Sequence, residues 1–171
     1  TFQSTFFGGV PESYGYGCYA KITSIPAGLF AGISGAPAKS MFSNTFSDCR
    51  NLTSIPAGLF AGISGAPAED MFYKTFYGCT GLTSIPDGLF AGISGAPAKS
   101  MFDSTFAFCS GLTGAIPDGL FGNLTGAPAW SMFESTFYGC SGLTGAIPEN
   151  LFGNISGTAQ SYMFFQTFYN C

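Results

Sequence analysis

Six cysteines stand at positions 18, 49, 79, 109, 140 and 171 of a 171-residue chain that contains no histidine. A thiolate can attack a carbonyl, hold a metal or pair as a disulfide, but each use needs company: a base for the nucleophile, three further ligands for zinc, a second thiol at short range for the bridge. No histidine and no CxxC pair supplies the first two. The cysteines read either as a ladder of disulfides or metal thiolates, or as small buried residues that each close one corner of a recurring unit, and the second reading is preferred. The acids offer no catalytic pair. Asp87, Asp118 and Glu149 follow a proline at equivalent places, so they can stack into a weak calcium column, but a solvated face is the expected outcome. "AGISGAP" has neither a Lys-Ser/Thr ending nor the GxGxxG order of a phosphate loop. The chain is therefore expected to be no enzyme and to hold no cofactor and no metal.

The spacing of the thiols, 31, 30, 30, 31 and 31 residues, is the period of the whole chain. "CTGLTSIPDGLF" at 79–90 returns as "CRNLTSIPAGLF" from Cys49, "CSGLTGAIPDGLF" from Cys109, "CSGLTGAIPENLF" from Cys140 and, more loosely, "CYAKITSIPAGLF" from Cys18. A second block, "GAPAKSMFSNTF" and its copies, travels with it. Such a period is the mark of stacked units too small to bury an apolar face alone. One domain of about five repeats is expected over 1–171: a half repeat with an insertion at 1–18, then 19–49, 50–79, 80–109, 110–140 and 141–171.

Within one unit, Leu82 to Ile85 is β-prone and closed by a proline, and is expected to be a short strand. A turn-rich link follows, anchored by Leu89, Phe90 and Ile93, with Gly88 and Gly95 able to take positive φ. In "APAKSMFDSTFAFC", Pro97 suits a first helical position, and Met101, Phe102, Thr105, Phe106 and Cys109 fall on one helical face that Gly111 would end. The expected fold is an α/β repeat, a leucine-rich-repeat-like solenoid with one short strand and one short helix per 30–31-residue unit. Packed helices stand about 8–10 Å apart, so thiols on a helical side would be too distant to bridge. The redox state of Cys18, Cys49, Cys79, Cys109, Cys140 and Cys171 is left to measurement.

These motifs resemble a known class. "CxxLTSIPxxLF" is similar to the turn of a leucine-rich repeat, "LTGAIPDGLFGNLTG" resembles the plant-type LTGxIP variant, and "MFxxTFxxC" followed by "LTSIP" is closer to the BspA-like leucine-rich repeats of bacterial and protist surface proteins. The resemblance covers nearly the whole chain from Cys18 and points to unbridged cysteines. The period, slightly above the usual 20–29 residues, and the "GAPAxSMF" block depart from the family's short consensus.

Seventeen of the twenty Phe, all but Phe7, Phe108 and Phe165, occupy the "LF", "MF" and "TF" places and are expected in the core. Only 8% of residues are charged, the net charge is −4, and no Lys or Arg follows Lys99, which excludes the basic footprint of a nucleic-acid binder. No apolar run is long enough to span a membrane as a helix. Places that vary while the frame is fixed are expected to face solvent: Lys39, Glu69, Lys99, Trp130 and Ser161; Ser43, Tyr73, Asp103, Glu134 and Phe165; Phe7, Ser47, Tyr77, Ala107, Tyr138 and Tyr169, with Phe108 beside them. Exposed aromatic rings favour contact with a partner, so Trp130, Tyr73, Tyr77, Phe108, Tyr138, Phe165 and Tyr169 are the candidate partner-binding residues. At Asp103, substitution is expected to change stability by less than about 0.5 kcal/mol.

"TFQSTF" at residues 1–6 falls in the "MFxxTF" slot, and the chain stops in the same phase after "MFFQTFYNC". No polar capping unit is evident at either end, and the nine extra residues between Phe6 and Cys18, "GVPESYGYG" or a shift of it, read as a partial cap or docking loop. Without an initiator Met or signal peptide the sequence reads as a mature chain or an excerpt. Phe2, Phe6, Met163, Phe164 and Phe168 are the candidate end-to-end assembly residues. The expected function is a non-catalytic extracellular or cell-surface scaffold, working by adhesion to a host or cell-surface protein or by self-association, with a head-to-tail filament subunit as the alternative. Sequons at Asn51, Asn123 and Asn154 are compatible with that location.

Overall fold

A computed structural model describes residues 2 and 21–171. Phe6, Phe7, Cys18 and the nine-residue insertion lie outside the described residues. The chain runs as a stack of successive coils, each hydrogen-bonded to the next. The expected helix of each unit does not form. No helix occurs among the described residues, and the only regular strands are β1 (Thr125–Gly126) and β2 (Asn154–Ile155), paired in parallel. The α/β unit with one strand and one helix is thus corrected.

What replaces the helix is a ribbon of overlapping tight turns. Over 38–49, the N–H groups of Met41, Ser43, Thr45, Ser47 and Cys49 each bond the carbonyl three residues back. The alternate N–H groups, of Ser40, Phe42, Asn44, Phe46 and Asp48, point along the stack and donate to Glu69, Met71, Tyr73, Thr75 and Tyr77 of the next coil at 2.6 to 2.9 Å. Every fourth residue is left-handed: Ser40, Asn44 and Asp48, then Asp70, Lys74 and Gly78, and so on to Asn170. Positive φ at the third position is what a type II turn requires, and Gly, Asn and Asp tolerate it best. Ser, Thr, Asn and Asp are weak helix formers because they bond their own backbone. A helix would also have spent every N–H inside its own segment. The ribbon instead commits half of them to the neighbouring coil.

The expected strand at Leu82 to Ile85 is likewise reduced to one bond per coil, Thr83 N–H to Thr53 O at 3.3 Å. Parallel bridging falls mainly on the "ISG" segment, at Gly35 with Ile63, Gly65 with Ile93 and Gly95 with Leu124, with one further bridge at Gly114 with Leu143.

Stacking brings like residues over like. Phe42, Phe72, Phe102, Phe133 and Phe164 form one ring ladder, with centroids 5.2 to 5.7 Å apart and nearly parallel planes. Phe46, Phe76, Phe106, Phe137 and Phe168 form a second at 5.4 to 5.7 Å, and Phe30, Phe60, Phe90, Phe121 and Phe152 a third at 5.7 to 6.1 Å. This spacing is far below that of packed helices and close to that of paired strands, about 4.8 Å. Phe2 extends the first ladder, 5.8 Å from Phe42, and donates its N–H to Met41 O as Phe42 does to Met71 O. That places Phe2 in the "MF" slot.

Candidate functional site

The cysteines carry the most reactive groups of the chain. Cys49, Cys79, Cys109 and Cys140 are buried thiols and Cys171 is exposed; none is in a disulfide. The helix-spacing argument for unbridged thiols does not hold, since the coils stack closely; the structure supplies another. A Phe carbonyl that already accepts the N–H three residues on has a lone pair left, and the next coil fills it. Cys79 Sγ donates to Phe46 O at 3.1 Å, Cys109 to Phe76 O at 3.0 Å, Cys140 to Phe106 O at 3.1 Å and Cys171 to Phe137 O at 3.0 Å. Thr75, Thr105, Thr136 and Thr167 do the same for Phe42, Phe72, Phe102 and Phe133 at 2.9 to 3.0 Å. Thr and Cys are hydrogen-bonding rungs. Burial drives the Cys109 thiol well above its ordinary pKa and that of Cys140 up to about 12, so neither offers a thiolate near neutral pH. Among the described residues no three His, Cys, Asp or Glu gather into a metal-binding group.

Turn chemistry decides which candidate surface residues meet. Tyr77, Phe108, Tyr138 and Tyr169 form a fourth ring ladder on the outside, at 5.3, 5.0 and 5.3 Å between successive centroids. The slot shared with Tyr77 and Tyr138 holds Ala107 in the middle coil, and Ala107 is buried, not exposed as its column predicts. The neighbouring Phe108 fills the gap in the ladder. Its own slot holds Asp48, Gly78, Gly139 and Asn170 in the other coils, and all five are left-handed, Phe108 at φ 60°. A bulky residue there pays about 1–2 kcal/mol. The ring it carries is exposed, 43% accessible, and lies against Gly139. Lys74 sits at the same face with its Nζ 5.0 Å from the Tyr73 ring and 5.2 Å from Tyr77, a cation–π site that column variation alone did not reveal. Between these groups runs a shallow groove of about 230 Å³, lined by Lys74, Tyr77, Ser104, Phe108, Tyr138 and Gln166 among others. That is below the about 300–1,000 Å³ typical of small-molecule sites.

Trp130, Phe165 and Tyr73 stand apart from the ladder. Trp130 is 57% exposed and donates Nε1–H to Gln160 at 2.7 Å. Phe165 packs edge-on against Tyr162. Ser43 and Ser47, expected on the surface, are buried. The Lys39, Glu69, Lys99 column is an exposed ion-pair chain, at 3.0 and 3.5 Å. Asp87, Asp118 and Glu149 are exposed.

Asp103 corrects another expectation. It is half-buried, with Ser104 Oγ donating to its Oδ1 at 2.7 Å, and desolvation, helped by Glu134, raises its pKa from 3.8 to about 6 against the pull of Lys74. Asp48 and Asp70 are raised for the same main reason. An acid held more tightly protonated when folded stabilises fully below its unfolded pKa and loses that contribution as pH rises through about 6. Unfolding free energy should therefore fall between pH 4 and pH 7. In D103N the fall should shrink and stability at pH 7 should rise by about 1–2 kcal/mol, a discounted share of about 1.4 kcal/mol per pKa unit. Urea titrations at both pH values measure it; equal slopes in wild type and D103N would refute the assignment.

No helix among the described residues is long and apolar enough to cross a membrane. No protein-family model, curated protein or solved structure matches the chain.

Proposed function

We propose that this chain is a non-catalytic scaffold of the extracellular space or cell surface, acting through protein–protein contact on the outer ring ladder Tyr77, Phe108, Tyr138 and Tyr169. The observation that carries this reading is Phe108: an exposed ring in a left-handed backbone, at a slot that Asp, Gly or Asn fills in the other coils. Local strain that the fold does not need is a pointer to function, and rigid, half-exposed aromatic rings are the side chains that dominate protein contacts. Trp130 and Phe165 extend the exposed aromatic surface beyond the ladder. The surface location rests on the resemblance of the repeat blocks to bacterial and protist surface proteins and on the sequons, whose Asn51, Asn123 and Asn154 are all exposed.

Two measurements test it. F108G removes both strain and ring contacts, so its stability should stay within about 1 kcal/mol of wild type. A fold that depended on the ring would lose more. Biolayer interferometry against a panel of extracellular-matrix and host cell-surface proteins should then give binding that the triple variant F108G/Y138S/Y169S abolishes while its thermal midpoint is nearly kept. Equal binding by both chains, or none by wild type, sinks the reading.

A further inference from the structure

Slot by slot, the outer groove changes its chemistry along the stack. Lys74 lays its amine between the rings of Tyr73 and Tyr77, 5.0 and 5.2 Å from their centroids. Its slot passes to Ser104, Ser135 and Gln166 in the coils that follow, at φ of 53°, 55°, 51° and 54° in turn, so the backbone launches all four side chains in the same way. The flanking slots change with it. Tyr73 gives way to Asp103 and then Glu134, while the place of Tyr77 in the ladder is taken by Phe108 and then Tyr138. Serine stops at the γ position, and the groove of about 230 Å³ opens over Ser104 and Ser135. Where one coil holds the chain's own cation between two rings, the next two thus offer a ring on one side, a carboxylate on the other and only a hydroxyl between. Ser104, which lines the groove, donates its Oγ–H to Asp103 at 2.7 Å, and Asp103 is in turn within electrostatic reach of Glu134, Asp70 and Lys74. In that group three carboxylates outnumber one amine.

We propose that this groove seats an arginine side chain presented by a protein partner, its guanidinium lying against Phe108 and Tyr138 and paired with Glu134. The inference rests on the reading of the ladder as a protein-contact face and gives that contact its chemistry. Lys74 is the internal precedent, because the same backbone slot, one coil away, already places a cation against the ladder. Phe108 and Tyr138 stand 5.0 Å apart with planes 65° to one another, so together they form a corner. A planar guanidinium can stack on one wall of that corner and still donate in its own plane to a carboxylate. Arginine suits the place better than lysine, since a strongly hydrated ammonium gains less from rings in an open groove. The volume, too small for most free ligands, is enough for one side chain carried by a larger surface.

NMR titration of the full chain with acetyl-tetra-arginine amide, and with its neutral tetra-citrulline counterpart, tests the proposal. The arginine peptide should shift the ring protons of Phe108 and Tyr138 saturably, and the citrulline peptide should bind at least about fivefold more weakly. E134Q should weaken arginine binding by about fivefold, the worth of one exposed ion pair. S135K builds into its own coil the lysine that Lys74 already supplies at nearly the same φ, so it should fold with an unchanged thermal midpoint and weaken arginine binding by at least about tenfold through like charge. The converse change, K74S, removes a competing cation and should tighten it. Citrulline binding as tight as arginine, S135K binding equal to wild type, or shifts that bypass both rings would each overturn the inference. Matrix or host proteins that F108G/Y138S/Y169S no longer binds, but that S135K and E134Q bind as wild type does, would overturn the arginine assignment and leave the ladder reading standing. Arginine binding at the two rings, with no protein of the panel bound, would uphold the chemistry of the groove and sink the ladder reading.

Discussion

Replacing Phe106 by alanine should lower the unfolding free energy by about 3–5 kcal/mol. The ring is fully buried and lies between Phe76 at 5.5 Å and Phe137 at 5.7 Å, with Phe90 tilted against it at 6.3 Å. Its loss removes apolar burial and opens a cavity that the stack cannot close, because the coil spacing on either side is pinned by Phe76 N–H to Thr105 O and Phe106 N–H to Thr136 O, both 2.9 Å. The matching change at Phe168 should cost clearly less: that ring is half-buried and stacks on Phe137 alone within its ladder. Denaturant unfolding of the two variants gives the comparison. Equal losses would mean that the ladder does not share load between neighbouring coils, as stacked repeat units should.

The sequence states which side chains face inward more clearly than it states the backbone that turns them there. Met101, Phe102, Thr105, Phe106 and Cys109 are all buried, as a helical face requires, but their spacing fits a four-residue turn period equally well. The distinguishing residues are the ones between: Ser100, Ser104 and Phe108, which recur every fourth place and are left-handed. In other coils these slots hold mostly Ser, Asn, Asp and Gly, among them Asn44, Asp48, Asp70, Gly78 and Gly139, with Lys74, Tyr162 and Gln166 as exceptions; the former types favour turns over helices. The apolar spacing is the stronger of the two patterns and by itself points to a helix. The pairing segment lies elsewhere than propensity predicts. "LTSIP" has β propensity, yet propensity measures fit to a pleated surface, and the close backbone approach that permits pairing occurs at "ISG". Of the candidate contact residues, variation between units located Tyr77, Tyr138 and Tyr169, but only coordinates show that Phe108 leaves its neighbours' slot pattern to complete their ladder while Ala107 sinks beneath it.

That close approach yields the second large effect. Gly92→Ala should cost about 2–4 kcal/mol, although Gly92 does not need positive φ. A Cβ built there falls into the Ile63 carbonyl of the preceding coil. The carbonyl cannot retreat easily, since Ile63 is bridged to Gly35, and Gly65 beside it donates to Gly92 O at 3.0 Å. Overpacking of this kind costs about 1–3 kcal/mol, and a disrupted ladder bond adds about 1. The fourth and fifth units show how a side chain is accommodated: "AG" at 91–92 becomes "GN" at 122–123 and 153–154, with Asn123 Nδ2 donating to Ala91 O at 2.6 Å. The paired exchange A91G/G92N should therefore recover at least half of the stability that G92A loses. Those units carry one additional residue in "LTGAIP", so recovery should be incomplete unless that residue is inserted as well. Thermal and denaturant midpoints for the single, paired and inserted variants decide the matter; a G92A chain as stable as wild type would show that the coils stand farther apart than the hydrogen bonds between them require.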